Sequence, residues 1–138
     1  MRKRTQAREI ALKILYQIDI VGDEPTKTIE DFFYYNDEFE KDIKDFSQEL
    51  ILGTRENLKS IDNKISQFAA NWELNRMAII DRNILRLGCF ELMFKPDIPA
   101  KVTINEAIEL AKKFGGIDSG KFVNGIIDKI NKSDFKKP

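Results

Sequence analysis

Apolar side chains recur at intervals of three and four along most of the chain, the spacing of helices with one face turned to a core. The first such stretch, residues 1–20, carries Ala7, Ile10, Ala11, Ile14, Leu15 and Ile18 on one stripe. Gly22 to Pro25 reads as a turn, followed by a short helix from Thr26 to Tyr35. Phe32, Phe33, Tyr34 and Tyr35 crowd that helix, and core packing is the simplest use for them. Asn36-Asp37 is expected to open a third helix with Phe39, Ile43, Phe46 and Leu50 inward, interrupted or bent at Gly53. Leu58, Ile61, Ile65, Phe68 and Ala69 give a fourth stripe. Arg76 to Phe94 is apolar on two sides, with Met77, Ile80, Ile84 and Leu87 on one and Ala78, Leu85, Cys89 and Leu92 on the other. That pattern predicts a central helix with partners on both sides. Asp81 falls on a polar edge near its start, where a carboxylate suits the helix dipole or pairs with a neighbour such as Arg82. Glu91 falls beside the apolar face, so burial would require a hydrogen-bonding partner.

The stretch from Pro99 to Ile130 is expected to form a helix, a glycine stop, a short polar loop and another helix. Thr103 and Glu106 have capping-box spacing. Ile104, Ala107, Ile108 and Ala111 form the first apolar stripe, and Gly115-Gly116 stops the helix. Asp118 or Ser119 is placed to cap the next helix, whose buried face is Val123, Ile126, Ile127 and Ile130. Phe122 is left over from that face, beside Lys121, Gly120 and Ser119 near the helix N-terminus, where an aromatic and a cation suit a nucleobase and its phosphate. Trp72 lies in a polar connector, where a structural role at a joint outweighs ligand stacking. No useful run of period-two alternation occurs. The expected fold is all-α, with about seven helices in one domain over 1–138, a basic arm at 1–5 and a frayed tail at 132–138.

Composition narrows the chemistry. Among 138 residues, 42% are hydrophobic and 33% charged, which suits a helical domain with a real core. No apolar run approaches a membrane span, and the basic start lacks the apolar segment of a secretory signal. Histidine is absent and Cys89 is the single cysteine, so the usual zinc ligand sets and a histidine-activated nucleophile are missing. A lone cysteine also fits a reducing, cytoplasmic setting. Gly115-Gly116 and Gly120 lack the strand a phosphate-binding glycine loop needs. The chain therefore reads as a binding module without a cofactor rather than an enzyme.

Formal net charge is zero, so any nucleic-acid contact must come from a local patch. Arg2, Lys3, Arg4 and Arg8 form the one basic cluster that stands out, set against the dipole at a helix start. A solvated helix start accounts for them equally well. Arg8, Leu12 and Tyr16 continue along one flank, with the Tyr16 ring away from the stripe centre.

In order along the chain, AREIALKILYQID, DRNILRLGCFEL, INEAIELAKKFG and KFVNGIIDKI resemble the NusB family of bacterial transcription antitermination factors. The resemblance implies two three-helix subdomains around a long central helix. It also implies that the chain pairs with the ribosomal protein NusE, binds single-stranded boxA RNA and joins an RNA polymerase complex on ribosomal RNA operons. The family's RNA contacts map onto Arg2, Lys3, Arg4, Arg8, Asp118, Ser119, Lys121 and Phe122, and its NusE-facing residues onto Tyr16 and Asp81. Thr5 and Gln6 stand where the family often has further arginines, and Gly120 where some members carry a larger polar residue. Some members self-associate, and a homodimer would mask the arm. Two other readings stand beside this one. One is the RNA-binding module of a ribosomal RNA cytosine methyltransferase, disfavoured by the chain length and by Cys89 lying in a core helix. The other is a helical scaffold that binds protein alone.

Overall fold

The structure is a computed structural model that describes residues 1–70 and 72–135. It is all-helical among those residues, with no strand. The chain divides into two compact units, 1–56 and 57–138. The first holds α1 (Lys3–Val21), α2 (Pro25–Tyr35) and α3 (Lys41–Glu56). The second holds α4 (Leu58–Phe68), a 3-10 turn (Leu74–Arg76), α5 (Ile79–Phe94), α6 (Ala100–Gly115), α7 (Ile117–Ile130) and a closing π-helical turn (Asn131–Phe135). The helix expected to be central, α5, is thus counted with the C-terminal unit, packed on α4, α6 and α7.

In the first unit α1 packs on α2 and α3. Its six predicted core residues are all buried, and Leu12 joins them. Gly22 ends the helix in the left-handed conformation, φ 79° and ψ 19°, with its N–H donated to Ile18. The Glu24 carboxylate caps α2 by accepting from the N–H groups of Thr26 and Lys27. Those bonds, Lys27's first, hold the carboxyl below its ordinary range. Of the four aromatics in α2, only Phe33 is core; it meets Phe32 and Phe39 edge-on. Tyr34 and Tyr35 are about 80% exposed and pack on each other, which corrects the core expectation for them. Helix α3 starts at Lys41, after a turn through 37–40, and Gly53 lies within it. The break falls at Asn57 instead, where ψ turns to 20°.

The second unit is built around α5, ten of whose sixteen residues are buried. A side chain at Gly88 would collide with Ile127 of α7 and would sit 3.8 Å from Ala107 of α6, so glycine is what lets three helices meet there. Arg86 ties α5 to α4 through a forked pair, with Nε and Nη2 donating to the two oxygens of Asp62 at 2.8 and 3.0 Å. Helix α6 begins at Ala100 with Pro99 as its N-cap, four residues earlier than the capping-box spacing implies. Thr103 is therefore inside the helix and 1% exposed, and its hydroxyl donates to Glu91 Oε1 at 2.8 Å. This supplies the partner that a buried Glu91 requires. Of the predicted α6 stripe, Ala107 and Ala111 are core, joined by Thr103 and Leu110, while Ile104 and Ile108 are half-buried. The tail expected to fray from 132 keeps a π-helical turn through Phe135, and 136–138 lie outside the described residues.

Thr103→Val keeps the shape and removes the donor to a buried carboxylate. It is expected to cost about 1–3 kcal/mol in urea unfolding, while Thr103→Ser keeps most of the stability. Cys89 is fully buried beside Met93, and burial pushes its thiol up to about 12. The unfolded thiol ionises first as pH rises, so this contribution to stability is present below pH 9 and is lost through pH 12. A thiol reagent at pH 8 is accordingly expected to label Cys89 only at the rate of unfolding.

Candidate nucleic-acid interface

The two groups of expected site residues fall in different units. Arg2, Lys3, Arg4, Arg8 and Tyr16 belong to the first, and Asp81, Asp118, Ser119, Lys121 and Phe122 to the second.

Helix α1 begins at Lys3, so residues 3–5 of the expected arm are helical. No acidic residue lies in the first turn to offset the cations there. The rest of the unit supplies what the turn lacks. Lys3 Nζ lies 2.7 Å from Glu40 and 2.9 Å from Asp42, and these bonds, Glu40's first, raise its pKa above the ordinary value. Asp42 is lowered in return by Lys3. The Arg4 guanidinium lies 4.3 Å from the centre of the Phe46 ring, a cation–π distance. Arg8 is only 3% exposed, its guanidinium 5.5 Å from the same ring. Its predicted place on an open flank is thus corrected: the position that follows Arg4 by one turn faces α3. Arg2 and Arg4 are exposed, and Tyr16 is 36% exposed, off the stripe as its position predicts.

In the second unit, one residue joins α6 to α7. Gly116 has φ 96° and ψ −179°, a region open essentially to glycine, and it is both the C-cap of α6 and the N-cap of α7. The expected polar loop therefore does not exist. Asp118 and Ser119 are inside α7, with no side-chain cap bond, and Phe122 begins its second turn. Asp118 and Lys121 are exposed, Ser119 and Phe122 half-buried. Asp118 sits where the helix dipole favours an anion. Gly120 is buried against α6, where a side chain would press on Lys112 Cγ at 2.9 Å.

Asp81 is buried at 8% exposure rather than lying on an open edge. Its Oδ1 has no hydrogen-bond partner among the described residues. That oxygen lies 3.5 Å from where a Gly115 side chain would start, and Ser119 borders the same space, so Gly115 brings Asp81 and Ser119 together. Its neighbour Arg82 donates to the Leu74 carbonyl at 3.3 Å.

The structure adds a contact between Trp72 and Phe122. The Trp72 ring packs edge-to-face on Phe122, centroids 5.4 Å apart and planes at 76°, yet it remains 52% exposed. Fifty residues separate the two rings in sequence, so no local spacing could have paired them. A cavity of about 590 Å³ opens beside Trp72, between the end of α4 and the 3-10 turn. The edge thus offers aromatic faces, an exposed lysine and carboxylate acceptors, the groups that read unpaired bases. Cys89, fully buried with a raised pKa, is not placed to act as a nucleophile.

Known proteins agree in sequence and in shape. The family model for NusB matches residues 5–132. The transcription antitermination protein NusB of Geotalea daltonii is 46% identical over 140 residues, covering 96% of this chain and 97% of its own. That of Anaeromyxobacter dehalogenans is 44% identical over 128 residues, covering 93% and 89%. Among solved structures, T. maritima NusB superposes with TM-score 0.88 at 41% identity, over 96% of this chain and 92% of that one. A chain from the structure of antitermination factors NusB and NusE in complex with dsRNA gives 0.89 at 28% identity, over 97% and 99%. From its first helix to its last, this chain belongs to the NusB family.

Proposed function

We propose that this chain is a transcription antitermination factor of the cytoplasm, acting by binding and not by catalysis as a single NusB-like domain. It binds boxA-type RNA together with NusE and so helps to assemble the antitermination complex with RNA polymerase. The observation that carries this reading is Phe122, half-exposed on α7 and flanked by Asp118, Ser119 and Lys121, in a chain of this family. The ring stacks on an unpaired base, Lys121 meets the phosphate, and Asp118 and Ser119 accept from or donate to base edges. A relative solved with NusE and dsRNA supports RNA as the substrate class. A duplex keeps its bases stacked and its edges in grooves, so stacking on Phe122 selects single strands.

The basic start of α1 adds sequence-independent attraction through Arg2 and Arg4, with Lys3 shared between RNA and its acidic partners. Arg8 holds the start of α1 on Phe46 and so positions the other cations. Tyr16 in one unit and Asp81 in the other face NusE. The orphan Asp81 Oδ1 is an acceptor that a partner's donor would satisfy.

The test is titration of a boxA-like oligonucleotide, with a scrambled strand and a duplex as controls, with and without NusE, at two salt concentrations. Phe122→Ala is expected to weaken binding of the single strand about 5- to 100-fold with helicity intact. Equal affinity for mutant and wild type removes the stacking role, and NusE binding with no gain for RNA favours a purely protein-binding scaffold. Arg2→Ala with Arg4→Ala is expected to flatten the slope of log affinity against log salt by about one to two units. An unchanged slope makes these arginines ordinary solvated surface.

A further inference from the structure

We propose that Trp72 and the cavity beside it form a second nucleobase seat, next to that of Phe122, so that two nucleotides of one strand lie on the second unit. The proposal rests on the reading that Phe122 contacts unpaired RNA, and it adds a residue and a pocket to that contact.

Three observations carry it. An edge-to-face contact covers at most one face of either ring, and Trp72 stays 52% exposed in spite of it, so the pair presents aromatic surface instead of burying it. A tryptophan used only as a joint would close its large apolar area into the core. Next, the cavity at its side, about 590 Å³, lies within the size range of small-molecule sites. Ala69, Ala70 and Leu74 give it apolar walls, and Ser66, Glu73 and Arg76 give it polar groups. Arg76 and Glu73 form only a loose pair at 3.6 Å, both largely exposed, so a nucleotide can take either partner at little cost. The guanidinium suits a phosphate or a base face, and the carboxylate accepts from an exocyclic amine. Finally, the walls are anchored. The Arg86–Asp62 fork fixes α4, Arg82 donates to the Leu74 carbonyl at the 3-10 turn, and the Met77 N–H closes that turn on the same carbonyl. Single-stranded nucleic acid lays successive bases on neighbouring aromatic rings.

The occupant is therefore the next base of the strand already on Phe122.

Trp72 is the single tryptophan of the chain, so its emission reports on this seat directly. The experiment titrates the full chain, with NusE present, using a single-stranded boxA-type oligonucleotide. The Trp72→Phe chain serves as the blank that removes emission from any other protein. Emission from Trp72 is expected to be quenched as RNA saturates. Trp72→Ala is expected to weaken binding about 5- to 100-fold, while Trp72→Phe keeps most of the affinity. A set of strands, each with one abasic nucleotide, is then bound to wild type, Trp72→Ala and Phe122→Ala. One abasic position should abolish the further loss from Trp72→Ala, and an adjacent one the loss from Phe122→Ala. Unchanged emission at saturation, or a Trp72→Ala loss that no abasic position removes, overturns the second seat and makes Trp72 a structural joint. Should Phe122→Ala alone weaken binding, the proposed function stands without this seat. Should neither variant weaken it, the Phe122 reading falls as well.

Discussion

The second unit depends on one close approach. Gly88 of α5 presents bare backbone to Ile127 of α7, with Ala107 of α6 alongside. Interiors are packed near crystal density, so a methyl group at Gly88 would have to move a side chain that is itself fully buried. Nearby, Thr103 of α6 satisfies a buried carboxylate of α5. One contact sets how near the helices come, and the other sets their register along each other. Gly116 then decides where α6 ends and where α7 begins.

The first unit is governed by a different constraint. Cations at a helix N-terminus oppose the dipole, and here three of them occupy the first two turns of α1. The fold answers with two acids for Lys3 and one aromatic ring for Arg4 and Arg8. The outcome is a basic surface weaker than its residue count suggests, because much of its charge is already engaged. A chain with zero net charge and such a start cannot rely on counterion release alone. In the proposed function, stacking on Phe122 then supplies the discrimination that charge alone does not.

How much of this the sequence disclosed follows from the range of the interactions involved. The apolar stripes of α1 and α7 were legible because burial repeats with the helix turn, and every residue named for them is core. Helix ends were less legible, because local motifs compete with tertiary ones. The Thr103/Glu106 spacing satisfies a capping box, yet Pro99 starts the helix earlier and Thr103 bonds across to α5. Asn57, and not Gly53, breaks the chain between α3 and α4, since a helix tolerates one glycine at a cost of about 1 kcal/mol when packing holds it. Residue type suggests an exposed arginine at position 8, but Phe46 on α3 determines where that side chain lies. Trp72 packs on Phe122 of α7, a contact across fifty residues that no local spacing could disclose.

The junction of α6 and α7 shows why the proposed recognition edge is a helix surface and not a loop. Two glycines stand there for different reasons. At Gly116 the space is open, and the backbone angle alone demands glycine. At Gly115 the neighbour Ser119 fills the place of a side chain, with the Asp81 oxygen just beyond. A one-residue joint leaves no slack, so the start of α7 is fixed by α6, and α6 is fixed by α5. Asp118, Ser119, Lys121 and Phe122 are then carried on a helix whose inner face is fully packed. Preorganised groups lose less entropy when a strand binds than groups on a free loop would. Directly behind that edge an Asp81 oxygen is left without a hydrogen-bond partner among the described residues.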